Sequence, residues 1–80
     1  MLATHWVLVL GIIFNDGHST GHEETLYKKE YCIDQARVRW RQFYENNLDT
    51  QGKMTTICRN GKDVHEFFNV ACDRNDICTL

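Results

Sequence analysis

The first strong pattern in the chain is residues 5–14, HWVLVLGIIF, where apolar side chains follow one another and leave no polar face. Successive side chains of a strand point to opposite faces of the sheet, so both faces of this strand are apolar. That pattern is typical of a strand in the interior of a sheet, covered on each side. Leu8 lies on one predicted face, and Val7, Val9 and Ile13 lie on the other.

A second pattern, with helical period, covers residues 30–48, EYCIDQARVRWRQFYENNL. At 100° per residue its main apolar positions fall on one arc about 120° wide, which is the width of a core-facing stripe. We therefore predict a long amphipathic helix here, with Asn46 and Asn47 marking its end. Lys28 and Lys29 stand where an N-cap Ser, Thr or Asp is preferred, so the helix should begin without a side-chain cap. The stripe consists of Cys32, Ile33, Ala36, Trp40, Phe43 and Tyr44.

The remaining chain predicts more strands. A turn-rich segment at 15–21 precedes a polar strand at about 22–28, and a third strand is predicted at 54–59. Asn60 and Gly61 then form the dipeptide typical of a two-residue hairpin turn, which leads into a fourth strand at about 62–70. A short extra strand is expected near the end of the chain. The predicted hairpin pairs Arg59 with Lys62, Ile57 with Val64, and Met54 with Phe67.

These elements predict one compact α+β domain over residues 1–80, in the order β-β-α-β-β. The sheet should be mostly antiparallel, with one long helix packed across one face. A single helix covers only one face of the sheet. The C-terminal segment, a second copy of the protein or a partner protein must cover the face of Val7, Val9 and Ile13, or it stays exposed as an apolar patch.

The net charge of −2 at pH 7 is distributed unevenly over the 80 residues. Residues 1–27 carry −3, residues 28–62 carry +4, and residues 63–80 carry −3. A basic middle between acidic ends argues against general binding to duplex DNA, which usually needs a strongly basic domain. It permits a local basic surface that meets an acidic protein or a few phosphates.

The apolar stretch 5–14 is too short to span a bilayer as a helix. No Lys or Arg precedes it, and no clear small-residue cleavage site follows, so it lacks the features of a signal peptide. We therefore expect no membrane association. The expected location is the cytoplasm, that of the host cell if the protein is viral, and secretion is the alternative.

Three arginines lie within the predicted helix, in the segment RVRWR. Asp34 lies three residues before Arg37, and Glu45 lies four after Arg41, so both arginines have acidic neighbours at helical spacing. Arg39 has no acidic residue three or four positions away, which leaves it the least explained of the three. The candidate basic surface for a partner consists of Arg39, Arg37, Arg41, Lys28 and Lys29.

Four cysteines allow three disulfide connectivities. Cys32 is on the helix stripe and Cys58 is in the third strand, so the two can meet if the helix packs over that strand. Such a bond closes a 26-residue loop and contributes about 3–4 kcal/mol in the chain-entropy model. Cys72 and Cys78 can close the C-terminal loop. Buried free thiols at positions 32 and 58 are the alternative, expected in a reducing compartment.

No motif for catalysis or for a cofactor stands out. The metal-binding pattern CxxC is absent, and His18 and His22 are four residues apart in a glycine-rich segment rather than on a predicted helix. A cysteine nucleophile is not expected, because Cys32 is predicted in the core and no histidine is fixed near it in sequence. We therefore predict a protein that is not an enzyme, with no cofactor and no metal.

The order β-β-α-β-β is similar to that of several small phage-encoded inhibitors, including some anti-CRISPR proteins and small polymerase inhibitors. The likeness concerns element order, and no residue motif carries it. It implies a non-enzymatic protein-binding module, an inhibitor of the phage or mobile-element type that occludes a surface of a larger nucleic-acid-handling complex. The alternative is a secreted or periplasmic small domain stapled by disulfides. A homodimer is compatible with either hypothesis.

Overall fold

The computed structural model describes residues 5–63 and 65–80, and it shows a five-stranded antiparallel sheet with one helix across one face. The predicted α+β class and layer arrangement are confirmed. The strand order is β2-β1-β3-β4-β5, so β1 lies between two strands, as predicted. The elements are β1 (Trp6–Phe14), β2 (Ser19–Leu26), α1 (Lys29–Glu45), a 3₁₀ turn (Leu48–Thr50), β3 (Gly52–Asn60), β4 (Phe67–Cys72) and β5 (Cys78–Thr79).

The helix buries its predicted apolar stripe against the sheet. Cys32, Ala36, Trp40 and Phe43 are buried, and Tyr44 packs partly buried against the same core. The sheet meets this stripe with alternate residues of its strands, because the side chains of a strand alternate between its two faces. From the sheet, the buried residues of the core are Trp6, Leu8, Met54, Cys58, Val70 and Cys72.

A buried hydrogen-bond network fixes the helix over the centre of the sheet. Trp40 Nε1 donates to Thr56 Oγ1 at 2.8 Å and to the Val70 carbonyl at 3.1 Å. The Thr56 hydroxyl in turn donates to the same Val70 carbonyl. Buried polar groups stabilise a core only when they are hydrogen-bonded, and each of these three is. The network therefore joins α1 to β3 and β4 at one place.

The helix ends after Glu45, so the prediction that Asn46 and Asn47 mark its end is confirmed. The Asn46 amide donates to the Gln42 carbonyl, and Asn47 adopts a left-handed conformation with φ 55°. A residue in the left-handed conformation commonly ends a helix, and asparagine tolerates that conformation well. Leu48 lies instead in the 3₁₀ turn, where it packs against the core. At the other end Lys28 is the N-cap and makes no side-chain cap bond, as predicted.

The predicted hairpin register is wrong. Arg59 lies opposite Phe67 rather than Lys62, and β4 runs from Phe67 to Cys72 rather than over 62–70. The Gly61 amide donates to the His5 carbonyl at 2.8 Å, so the chain continues along β1 instead of turning back at once. The turn is therefore wider than two residues. Met54 pairs with Ile12 of β1 and not with Phe67, and the predicted partner of Ile57, Val64, lies outside the described residues.

The boundaries of two other strands differ from the prediction. Strand β2 covers Ser19–Leu26 instead of about 22–28, so it begins inside the segment predicted as a turn. Strand β3 covers Gly52–Asn60 and extends the predicted 54–59 at both ends. Strand β1 accounts for both changes, because β2 and β3 pair with it along nearly its whole length. Residues 6–13 of β1 pair with β2, and residues 6–14 pair with β3. The short extra strand near the end is present as β5.

Both candidate disulfides are formed. Cys32–Cys58 joins α1 to β3, with 6.0 Å between the Cα atoms, and Cys72–Cys78 joins β4 to β5. The alternative of free thiols at positions 32 and 58 is therefore wrong. The helix crosses β3 at Cys58, which is the condition the sequence required for this pair to meet.

Candidate functional site

One face of the sheet carries no packed helix or strand among residues 5–63 and 65–80. The helix α1 and the 3₁₀ turn pack on the other side, against the buried core. The C-terminal segment, one of the three predicted covers, pairs with β4 as β5 and thereby extends the sheet at its edge. We call the uncovered side the open face, and it includes Val7, Val9, Ile13, Glu23, Ile57, Arg59 and Phe67.

The strand register brings the apolar residues of the open face together. Val7 lies opposite Arg59, whose other neighbour across the strands is Phe67. Val9 lies opposite Ile57 in the next row of this face. Val7, Val9 and Ile57 are partly buried by their neighbours, whereas Phe67 is 58% exposed. The centre of the open face is thus aliphatic, with an exposed aromatic ring at one side.

An ion pair crosses the open face above β1. Arg59 Nη2 lies 3.5 Å from Glu23 Oε2, and the two residues stand on the strands that flank β1. Arg59 is opposite Val7 and Glu23 is opposite Val9, so the pair runs diagonally between the two valines. The apolar stem of arginine can shield such residues from water while its charged end stays solvated. The pair itself contributes little to stability, since it is near the surface.

An aromatic pair extends this face at the end where β1 begins. The rings of His5 and Tyr27 lie 5.4 Å apart between centroids, one position beyond the paired Trp6 and Leu26. Trp6 is in the core, so alternation places His5 and Tyr27 on the open side. Tyr27 is 70% exposed. Tyrosine, phenylalanine and arginine are enriched in protein–protein interfaces, and the open face carries all three.

Sequence reasoning assigned three residues to this face, and the structure places all three there. It missed Tyr27, Ile57, Arg59 and Phe67, because their position beside the valines depends on the register of β2, β3 and β4. Alternation within the third predicted strand would have placed Ile57 and Arg59 on the same face of the sheet as each other. It would not have shown which side faced the helix.

The helix arginines are engaged with acidic side chains. Arg37 Nη1 donates to Asp34 Oδ1 at 3.2 Å, as the helical spacing predicted. Arg39 Nη2 donates to Glu24 Oε2 at 3.1 Å, so the arginine without a helical partner finds one on β2. These contacts balance the charge of both residues, although each stays partly exposed.

Arg41 binds a residue distant in sequence rather than Glu45. Its Nη2 lies 2.6 Å from Asp76 Oδ2, and its Nε donates to the same carboxylate at 3.0 Å. The hydrogen bond to Arg41 holds the pKa of Asp76 below its usual value, and the reciprocal bond raises the pKa of Arg41. A bidentate pair of this kind fixes the C-terminal loop against the helix.

Lys28 and Lys29 lie at the start of the helix beside aromatic rings. Lys28 Nζ is 5.6 Å from the ring centroid of Tyr31, and Lys29 Nζ is 5.2 Å from that of Phe68. These distances are typical of cation–π contacts. The basic residues therefore belong to the helix side, whereas Val7, Val9 and Ile13 belong to the open face. The structure separates the two candidate surfaces and does not join them in one site.

The part of the chain that the structure describes shows no group of three or more His, Cys, Asp or Glu side chains placed to hold a metal ion. Within the same residues, no helix is both long and apolar enough to cross a bilayer. The chemistry available on the open face is therefore apolar contact, one ion pair and hydrogen bonding. Searches of protein-family models, curated proteins and solved structures find no match to this chain.

Proposed function

We propose that this protein is a non-enzymatic protein-binding module that contacts its partner through the open face. One observation carries the proposal: the sheet has an apolar centre at Val7, Val9 and Ile57 that no helix or strand covers among residues 5–63 and 65–80. Exposed apolar patches rimmed by polar residues mark interaction surfaces. Arg59 and Phe67 lie beside that centre, and arginine and phenylalanine are both enriched in protein–protein interfaces.

The two disulfides support the alternative location, a secreted or periplasmic one. Disulfides persist in oxidising compartments and are rare in the cytosol, where thiols are kept reduced. The helix arginines give less support to the inhibitor hypothesis, because Arg37, Arg39 and Arg41 already face acidic partners. We therefore favour an extracellular or periplasmic protein as the partner over a nucleic-acid-handling complex.

The test uses charged substitutions at exposed positions of the open face. Phe67→Lys and Ile13→Lys place a cation on that face at residues 58% and 64% exposed, where the fold should tolerate them. Tyr31→Lys is the matched control, since Tyr31 is an exposed apolar residue on the helix. Wild-type protein and the three variants are immobilised and exposed to the extracellular or periplasmic fraction of the native host, and bound proteins are identified by mass spectrometry.

We expect a protein that wild type and Tyr31→Lys retain and that the two open-face variants lose. Equal retention by all four proteins contradicts the assignment of the open face. Light scattering across a range of concentrations tests whether the partner is a second copy. In that case wild type and Tyr31→Lys form dimers, and Phe67→Lys stays monomeric.

A further inference from the structure

The two edges of the sheet differ in how they are protected. Edge strands carry unpaired backbone groups, and proteins usually protect them by keeping the strand short or by placing Lys, Pro or a bulge in it. Strand β5 forms one edge and is two residues long. Strand β2 forms the other edge with eight residues, contains no Lys or Pro, and pairs with β1 without a bulge from Ser19 to Leu26. Strand β2 is therefore a long and unprotected edge.

The hydrogen-bond pattern shows which residues of β2 point their backbone groups outward. In an antiparallel pair, hydrogen-bonded positions alternate with positions that are not hydrogen-bonded. The Phe14 amide donates to the His18 carbonyl at 2.8 Å, so the even-numbered residues of β2 bond to β1. The amide and carbonyl groups of the odd-numbered residues point away from β1, and they have no partner among residues 5–63 and 65–80. These outward-pointing residues are Ser19, Gly21, Glu23 and Thr25.

Both sides of this edge leave room for another strand. The helix packs mainly on β4, β3 and β1 and makes few contacts with β2. The open face carries no packed helix or strand in the part of the chain that the structure describes. All four outward-pointing residues are exposed. A strand that adds to β2 therefore extends the sheet without meeting the helix.

Strand β2 is complementary to itself in one antiparallel register. If two copies pair symmetrically about His22, the outward-pointing residues of one copy meet only the outward-pointing residues of the other. Each such position exchanges two backbone hydrogen bonds, so this register supplies about eight between the copies. The matched pairs, each formed twice, are Ser19 with Thr25 and Gly21 with Glu23. A shift by two residues in either direction leaves at least one outward-pointing residue of each strand unpaired.

Charge favours the same register. Glu24 lies opposite Thr20 and Glu23 lies opposite a glycine, so neither glutamate directly faces a like charge, which would be destabilising. The shifted register that is centred on Glu23 sets this residue against its own copy. Antiparallel pairing also brings the turn before β2, which carries Asp16, level with the segment after β2, which carries Lys28. Opposite charges therefore meet at both ends of the paired strands.

We propose that β2 pairs with β2 of a second copy of this chain, antiparallel and symmetric about His22, and joins the two five-stranded sheets into one. Both helices then lie on the same side of the joined sheet, and the two open faces lie side by side on the other. The contact relies on backbone hydrogen bonds and buries little apolar area, so its Kd is on the order of 100 μM. The proposal does not rest on the open face as a binding surface.

Sedimentation velocity at pH 8, from about 10 μM to about 1 mM protein, measures the association. We expect a monomer–dimer equilibrium with no larger species, because pairing uses up the β2 edge. Nuclear Overhauser spectroscopy at high concentration identifies the register. The Hα atoms of Thr20 and Glu24 approach closely only between copies, since four residues of one strand span roughly 13 Å. A cross-peak between these two atoms is therefore expected, and it should fade on dilution.

Two substitutions at Gly21 test the register by charge. A side chain fits at this position, because a Cβ atom there meets nothing closer than the Leu10 carbonyl oxygen at 3.9 Å. Gly21→Glu sets a carboxylate opposite Glu23 of the second copy and should raise the Kd about threefold or more. Gly21→Lys sets an opposite charge there, and its Kd should be at least about tenfold below that of Gly21→Glu. The open-face variant Phe67→Lys is the control and should dimerise like wild type.

Four results overturn the proposal. The first is a monomer at every concentration. The second is a dimer without the Thr20–Glu24 cross-peak, and the third is an equal Kd for Gly21→Glu and Gly21→Lys, which share one position and differ in charge. The fourth is protection of the Gly21 amide from hydrogen exchange only in a captured complex, which would assign the edge to a strand of another protein. A dimer lost in Phe67→Lys but kept in Gly21→Glu would belong to the open face, so the two proposals can fail separately.

Discussion

Trp40 is the residue at which three parts of the fold meet. Its indole N–H reaches a side chain of β3 and a carbonyl of β4, and its ring packs edge-on against Phe43, 5.6 Å away between centroids. Thr56 is the buried polar residue of this region, 1% exposed, and it both donates and accepts within the network. A satisfied polar network in an apolar core favours one arrangement of the helix over others.

Replacing Thr56 with valine tests the contribution of this network. Valine keeps the shape but removes the hydroxyl, while Trp40 can still donate to the Val70 carbonyl. We expect a loss of about 1 kcal/mol in the free energy of unfolding, measured by urea denaturation. Thr56→Ser keeps the hydroxyl and serves as the control for the hydrogen bonds. A Thr56→Val variant as stable as wild type would show that the Thr56 hydroxyl adds nothing to stability.

The cysteines differ in their access to solvent, and this predicts different chemistry. Cys32 and Cys58 are both 0% exposed, whereas Cys78 is partly exposed beside Cys72. Thiol–disulfide exchange requires that a thiolate reach a sulfur atom. Under mild reduction in native buffer, we expect alkylation at positions 72 and 78 at least about tenfold faster than at 32 and 58.

Peptide mapping by mass spectrometry measures the two rates. In denaturant, which removes the difference in exposure, both pairs should react at similar rates. Equal rates in native buffer would contradict the prediction, because they would show that the buried pair is as accessible as the other.

At the scale of elements, the C-terminal segment is held against the helix by several contacts. Asp76 binds Arg41, and the hydroxyl of Tyr44 donates to the Cys72 carbonyl at 2.8 Å. Arg74 lies over the ring of Tyr44, 5.1 Å from its centroid, and pairs with Asp49. These contacts explain how a strand as short as β5 keeps its place at the sheet edge.

The Arg41–Asp76 pair predicts a pH dependence of stability. The pKa of Asp76 in the folded protein is below the ordinary 3.8, so its ionised form favours folding. The stabilisation is complete above pH 3.8, the value expected when unfolded, and is lost as pH falls through the folded pKa. Asp76→Asn should therefore lower the Tm at neutral pH and make little difference in strong acid.

Thermal denaturation of wild type and variant across this pH range measures the effect. Asparagine suits the positive φ of 65° at this position, so the substitution introduces little backbone strain. In an Arg41→Ala background the pH-dependent difference should disappear. If it persists there, Asp76 owes its low pKa to another neighbour.

For the whole molecule, size makes the disulfides important. A domain of 80 residues buries a modest core, and its expected free energy of unfolding is roughly 4–12 kcal/mol. The chain-entropy model gives about 3.5 kcal/mol for the 26-residue separation of Cys32 and Cys58, and about 2 kcal/mol for the 6-residue separation of Cys72 and Cys78. The first bond also fixes the helix to the sheet.

Paired alanine substitutions compare the two bonds. Replacing Cys32 and Cys58 should cost about 3.5 kcal/mol or more, since two buried side chains also become smaller. Replacing Cys72 and Cys78 should cost about 2 kcal/mol. Urea denaturation of the two double variants at 25 °C measures the difference. Equal losses, or a larger loss from the C-terminal pair, would contradict the loop-length argument.

The sequence by itself determined the features that depend on local periodicity. The period of 3.6 defined the helix and its buried stripe, and the continuous apolar run placed β1 inside the sheet. The same stripe turned Cys32 toward the sheet and so allowed it to meet Cys58, but the choice between a disulfide and two free thiols was decided by the structure. Alternation along β1 also placed Val7 and Val9 together on one face of the sheet and Leu8 on the other.

Only the tertiary structure decided the contacts between distant segments. A hydrogen bond from Gly61 to His5 displaced the hairpin turn, and the new register brought Phe67 to the open face. Arg39 found its acidic partner on β2, and Arg41 found its partner in the C-terminal loop. Register and ion pairs of this kind follow from backbone groups and charges that meet only after folding, because no short-range pattern in the chain records which of them will be adjacent.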